Sequence, residues 1–434
     1  APAFRAAAPN LFSKSLREIM IFDLRQSAPH TRSVSPLSRH ALLIGTILGA
    51  GVLMAPVTQA APTTFTIDTP QTSTYSQSVT GTDNLTITST ANGSVTTTYG
   101  NGITTSAESG TTTITANGAI SVDGDGINAT STTGAINIGG TGSISSTGLV
   151  GAAIQAYISD SSATADINIT SSGSLTNASP APVIYADNAG SGAINISGLG
   201  VVSSSGTRLG TIYANAENGG SINIGGANGL ANAVTTATGF AIAAYTTGGN
   251  ITIKTAAGGT ITTNNTEYAI RAANTGTGAT TIDLGANVTG GIYANGGSAT
   301  TITTAAGVKV DGKITVGSLS TDIGGAAGLG GAVTGGIVAS AYGNGTLRVK
   351  TASGAAVSGA GISTSANNGA TTIEVGANVS ANGTNAIIAA TSFRGAITIT
   401  TASGAALTGT PPGGANRLIG ISASTSGGTI DIGG

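Results

Sequence analysis

The 434-residue chain has no cysteine and no tryptophan, only two histidines and two methionines, and charged residues make up 7% of it. Each shortage excludes something. Without cysteine there is no disulfide, no thiolate nucleophile and no thiolate metal ligand. His30, His40, Met20 and Met54 all fall within the first 60 residues. From Ala61 onward a Ser-His-Asp or Cys-His arrangement is therefore impossible, and so is a typical zinc site. That part holds 15 Asp and Glu against 9 Lys and Arg, a formal charge of −6. Phosphate binding needs clustered Lys and Arg, so nucleic acid is not an expected partner. No GxSxG, GxGxxG or P-loop occurs, and the Gly312-Lys313 pair is followed by Ile314 rather than Ser or Thr. No cofactor is implied.

The one long apolar run is ALLIGTILGAGVLMAPVTQA, Ala41 to Ala60, which follows Arg25, Arg32 and Arg39. A basic stretch, an apolar stretch and a small-residue end form a secretory signal peptide, and the pattern places cleavage between Ala60 and Ala61. A run of this length would also just span a bilayer. Gly45, Gly49, Gly51 and Pro56 interrupt it and polar chain follows, which favours cleavage. Residues 20–60 are assigned to the signal peptide, and residues 1–19 to upstream sequence or a fragment edge.

What remains is rich in Gly, Thr, Ser, Ala and Asn, a bias that is compatible with disorder unless the apolar residues have a period. They have one. Short apolar elements recur at Leu85/Ile87, Ile136/Ile138, Ile167/Ile169, Ile194/Ile196, Ile222/Ile224, Ile251/Ile253, Ile282/Leu284, Leu347/Val349, Ile373/Val375, Ile397/Ile399 and Ile430/Ile432, with Ile114, Ile302 and Ile323 in the gaps. Thirteen intervals separate Leu85 from Ile430, a mean of about 26.5 residues. A second series, from Ile103 and Ile127 to Ile388 and Ile421, runs in step, with alanine two residues on in ten of thirteen cases. A weaker third lies between them: Ile144, Leu175, Val202, Ile261, Val288, Val308, Val357, Val379 and Leu407. Short alternating segments bounded by Gly, Asn, Asp and Ser predict strands, and no helical stripe competes.

Three strands per repeat, with no sequence for crossover helices, leave a coil of stacked turns as the way to bury parallel sheets. The expected fold is an all-β, right-handed parallel β-helix of about thirteen three-strand turns over residues 85–434. Residues 61–84 are expected to cap it, and the signal-peptide helix to precede it. Ile, Leu, Val and Ala point inward, and glycine is expected where turns need positive φ.

With Ile282 and Leu284 inward, Asp283 faces out. The same alignment assigns an outward row of Thr86, Asn137, Asn168, Asn195, Asn223, Thr252, Asp283, Arg348, Glu374, Thr398 and Asp431. Three Thr in this row are too few for the regular Thr array of an ice-binding face. The near-identical words TTIDLGANVT at 280–289 and TTIEVGANVS at 371–380 are on this basis scaffold, with Asp283 and Glu374 as solvent-facing synonyms. The row following the second series reads Asn128, Gln155, Tyr185, Tyr213, Ala243, Arg271 and Tyr293, with Tyr157 and Tyr245 two positions along on the same side. Tyr185, Tyr213, Tyr245, Arg271 and Tyr293 thus form a candidate contact strip for glycans or another surface. Tyrosine is equally a good strand residue that stacks on its neighbours, so the strip also has a purely structural reading.

Asp123-Gly124-Asp125-Gly126 is similar to a fragment of a calcium loop, but the other ligands are missing and no nine-residue tandem follows, so a plain turn without metal is expected. Asp160, Asp166 and Asp187 are dispersed, as on a solvated surface.

A signal peptide followed by cysteine-free turns such as TTIDLGANVTGGIYANG, GAVTGGIVAS and TASGAALTG resembles the β-helical passenger region of bacterial autotransporters, the type V secretion proteins of Gram-negative outer membranes. The resemblance covers residues 61–434 and rests on the repeat more than on any one motif. It implies export, delivery through an outer-membrane barrel, and folding outside, at the outer-membrane surface or in the extracellular medium. A chain without cysteine suits that route, since no disulfide forms that would jam a narrow pore. The sequence stops within a turn at TIDIGG, so the barrel is expected to follow Gly434 or to be a separate partner. The implied function is a surface-displayed or secreted structural or adhesive rod, with host or cell-surface glycans as partners. The alternatives are a β-helix carbohydrate-active enzyme, lyase or glycosidase, and a two-partner secreted exoprotein. Absent His and Cys and dispersed carboxylates favour the rod.

Overall fold

A computed structural model describes residues 62–434 apart from 149, 207–208, 265–267, 383–385 and 411–418. The signal peptide and its cleavage point at Ala60 and Ala61 lie outside the described residues. Within them every regular element is a β-strand, and the strands pair in parallel ladders. The chain visits three sheets in a fixed order. Ile136–Gly140 enters the first, Ile144–Ser146 the second and Ile154–Ile158 the third, before Ile167–Ser171 begins the next coil. The first sheet has fifteen strands and the third fourteen. The second consists of a nine-strand and a two-strand sheet, linked through single bridges at Val333 and Val357. This is the expected β-helix. The segment expected as a cap supplies a coil of its own, because Thr63–Ile67 pairs with Leu85–Ser89 and Tyr75–Val79 with Ile103–Ala107. Phe65 and Tyr75, edge to face at 6.5 Å, pack against the core there.

The core is one continuous column of side chains from the three sheets. Ile136, Ile138, Ile144 and Ile154 of a single coil are all at most 2% exposed. Each stacks on its counterpart above and below, as Ile136 does on Ile167 and Ile144 on Leu175.

Two registers differ from the apolar alignment. In the first sheet Ile253 pairs with Ile282 and Ile251 with Thr280, while Val349 pairs with Ile373 and Leu347 with Thr371. Both near-identical stretches are therefore shifted by two residues from expectation. The cause is threonine: Thr112, Thr280, Thr300, Thr321 and Thr371 are buried at inward positions, and an alignment of apolar residues passes over them. Thr280 donates to the Asn295 carbonyl at 3.2 Å and Thr321 to that of Ser340 at 2.8 Å, so these two hydroxyls are satisfied. In the second sheet Val288 pairs with Val310 rather than Val308. Both valines face inward, but Val308 closes a turn, its N–H donating to Ala305 O at 3.1 Å, and the strand begins at Val310. Val95, Ile120, Val234 and Val333 complete that series.

The corrected register moves Asp283 beside Lys254 and Thr303, and Glu374 beside Lys350 and Thr400. The outward row contains Thr86, Thr113, Thr252, Thr281, Thr301, Thr372 and Thr398, more threonine than expected. Asn137, Asn168, Asn195 and Asn223 in succession, then Asp322 and Arg348, still break it. Asn168 Nδ2 donates to Asn137 Oδ1, and Asn195 Nδ2 to Asn168 Oδ1, each at 2.9 Å. Arg348 lies 3.2 Å from Glu374 and 3.9 Å from Asp322, and Lys350 lies 3.2 Å from Glu374. Desolvation alone would raise the Glu374 carboxyl, but the hydrogen bonds and charges of Lys350 and Arg348 outweigh it and hold the group below its ordinary value.

Glycine at the corner leading into the first sheet serves a purpose other than positive φ. A Cβ added to Gly220, Gly249 or Gly278 would lie 2.4, 2.2 or 2.1 Å from the carbonyl oxygen of the glycine one coil earlier, the first of which is Gly192. Gly369, Gly395 and Gly428 repeat the contact, at 1.8, 1.8 and 2.2 Å. None of these residues has positive φ. They are glycines because one coil's backbone rests against the next.

Candidate contact surface

Six strands of the third sheet lie side by side: Ile154–Ile158, Ile184–Asn188, Ile212–Ala216, Ile242–Thr246, Tyr268–Asn274 and Gly291–Asn295. Their isoleucines and alanines face the core, so period-two alternation leaves two outward rows. One reads Gln155, Tyr185, Tyr213, Ala243, Arg271, Tyr293, and the other Tyr157, Asp187, Asn215, Tyr245, Ala273, Asn295. Rungs ~4.8 Å apart bring aromatic rings within stacking range. Tyr185 and Tyr213 stack at 5.2 Å with planes 9° apart, and Tyr213 meets Tyr245 at 5.6 Å and 42°.

Arg271 continues the strip. Its Cζ lies 5.3 Å from the centre of the Tyr245 ring, 5.5 Å from that of Phe240 and 5.8 Å from that of Tyr293. Tyr268 meets Tyr293 edge to face at 5.7 Å, and its hydroxyl is 3.2 Å from Thr315 Oγ1. A register shift between Tyr268 and Ile270 brings it there: the strand carries one residue more than its neighbour, and such a bulge re-aims the side chains around it. Phe240, Tyr268, Arg271 and Tyr293 line a hollow of about 270 Å³.

The other end of the strip is acidic. Tyr185 Oη donates to Asp187 Oδ2 and Asn215 Nδ2 to Asp187 Oδ1, both at 3.0 Å. Burial first, then the Asp187 carboxylate, pushes the Tyr213 phenol up to about 12, and the same two causes raise Tyr185. Burial raises Tyr245 as well, against the opposing charge of Arg271. Tyr185 also forms one wall of a cleft of about 730 Å³, with Asp125, Gln155, Pro180 and Pro182 among its other lining residues.

The carboxylates singled out in the sequence are occupied by the scaffold. Asp123 accepts from the Gly100 N–H at 2.6 Å and Asp125 from the Ala152 N–H at 2.8 Å, so the pair ties its turn to the coils on either side. Burial raises the Asp125 carboxyl despite the bonds from Ala152 and Asn128. Asp166 accepts from the Ala193 N–H and Asp160 from that of Ser162. Among the described residues no group of three His, Cys, Asp or Glu is placed to hold a metal ion.

All five residues of the expected strip thus lie on one face. Phe240 and Tyr268 join it without having been foreseen, the first from the corner before the strand and the second from the bulge, where a period-two count does not apply. The chain matches no family model, no curated protein and no solved structure.

Proposed function

We propose that the chain is the passenger of an autotransporter-like secretion system, an exported rod displayed at a Gram-negative outer membrane or released from it, and that its aromatic face is adhesive. One observation carries the reading. On a solenoid whose outward residues are mostly Thr, Ser, Asn and Gly, half-buried tyrosines and one arginine run across consecutive rungs of a single sheet. Aromatic faces beside Asn and Asp hydrogen-bonding groups match a sugar, whose ring has an apolar face and a polar rim. Outside the strip Asp123, Asp125, Asp160 and Asp166 accept from backbone N–H groups, which supports binding rather than catalysis.

The triple substitution of Tyr185, Tyr213 and Tyr293 by Ser tests it. Each stacked pair contributes about 0.5–1.5 kcal/mol beyond its buried area, so adhesion to immobilised glycans or to cells is expected to fall by at least about tenfold, the equivalent of 1.4 kcal/mol. The control is Asn168→Ser with Asn195→Ser on the first sheet, which leaves adhesion intact. Unchanged adhesion in the folded triple variant would refute the adhesive role.

A further inference from the structure

Resting on that reading, we infer that Arg271 selects the ligand: the glycan carries a carboxylate, as uronic and sialic acids do, and seats it at the hollow formed with Phe240, Tyr268 and Tyr293. The solenoid's treatment of another strand arginine gives the contrast. Arg348 stands in register between Asp322 and Thr372 and pairs with both Asp322 and Glu374. A cation that holds coils together is here matched by carboxylates on neighbouring rungs. Arg271 has Ala243 and Tyr293 as its row neighbours, and it makes no ion pair with any described residue. Three aromatic rings favour its charge instead. Ring contacts of this kind consume none of the guanidinium's five donors, whose fork suits a carboxylate taken with two parallel hydrogen bonds.

The surroundings give the site a direction. Asp187 is three rungs away, roughly 14 Å along the stack, and beyond the range at which an exposed charge acts strongly in physiological salt. The exposed Glu217 lies beyond the strand that carries Tyr213. An acidic sugar is therefore drawn to the Arg271 end and repelled from the Tyr185 end, where the phenols offer neutral platforms.

The test compares acidic glycans with their own esters on the full chain. Polygalacturonate and a sialylated oligosaccharide, each in its free-acid and methyl-ester form, are titrated against the protein in low salt and in about 0.5 M salt. The expected result is at least tenfold tighter binding of one acid form than of its ester, a preference that shrinks in salt. Arg271→Gln removes the preference, whereas Tyr213→Ser weakens acid and ester alike. Equal binding of acid and ester by the wild type would overturn the role of Arg271 and leave an adhesive face standing. Failure to bind either pair or any member of a neutral glycan panel would overturn both readings. Should Arg271→Gln fail to fold, the acid-against-ester comparison on the wild-type protein decides by itself.

Discussion

Replacing Gly249 by alanine probes how closely the coils approach at the corner before the first sheet. The added Cβ would stand 2.2 Å from the Gly220 oxygen and 2.4 Å from its carbonyl carbon, at least 1 Å short of the 3.4 Å at which ordinary contact begins. The neighbours are held in place: Ile222 N–H donates to Asn250 O at 2.8 Å, and Thr246 Oγ1 donates to Gly220 O at 2.7 Å. Relief requires parting two coils against those bonds. Overpacking of this kind costs about 1–3 kcal/mol. Because each coil contacts only its neighbours, the loss stays local, and native-state hydrogen exchange is the suitable assay. Exchange in Ile222–Ile224 and Ile251–Thr255 is expected to quicken by about 5- to 150-fold, tenfold for each 1.4 kcal/mol, with distant coils unchanged. Gly420→Ala is the control, since no described residue lies within 4 Å of its Cβ position and its φ is not positive. If exchange near Gly249 does not change, or Gly420→Ala disturbs its own coil as much, close approach is not why glycine stands in the column.

Ile282 is fully buried between Ile253 and Ile302, so Ile282→Asp leaves a charge without a partner and is expected to cost at least about 3 kcal/mol. Asp283, which accepts from Thr303 at 2.9 Å on the outside, tolerates Asn within about 0.5 kcal/mol; equal shifts in urea midpoint for the two would contradict the register. The tyrosine face also makes stability depend on alkaline pH. The folded Tyr213 phenol ionises at about 12, above its ordinary value of 10.0, so its stabilising contribution is complete below pH 10 and is lost as pH rises from there through about 12. Ultraviolet titration should show phenols that resist ionisation at pH 11 in the folded chain and titrate normally in urea, and ordinary titration of every tyrosine in the folded chain would count against a half-buried stack.

Much of this molecule was legible because its core repeats one chemical type at one spacing. Ile194, Ile222 and Ile251 differ in nothing an alignment can confuse, and their sheet was placed correctly from them. The alignment slipped where a core position is filled by Thr280 or Thr371, since a threonine facing inward looks like any surface threonine in a sequence. It slipped again at Val308 and Val310, which share a face although the first closes a turn and the second begins the strand. The strip of Tyr185, Tyr213, Tyr245, Arg271 and Tyr293 followed from alternation alone. Tyr268 did not, because one extra residue at a bulge cancels the parity on which that count depends.

The sameness of the coils leaves the core nearly silent about which coil belongs beside which. Ile194 would pack on Ile251 almost as it packs on Ile222, so a chain that skipped a coil while folding would meet little resistance from its interior. The address of each coil is written on its outside. Asn215 finds Asp187, Lys350 finds Glu374 and Tyr185 finds Tyr213 only when every intervening turn is in its place. The irregular surface, which at first looks like decoration on a regular scaffold, is thus where a right order of assembly is told from a wrong one.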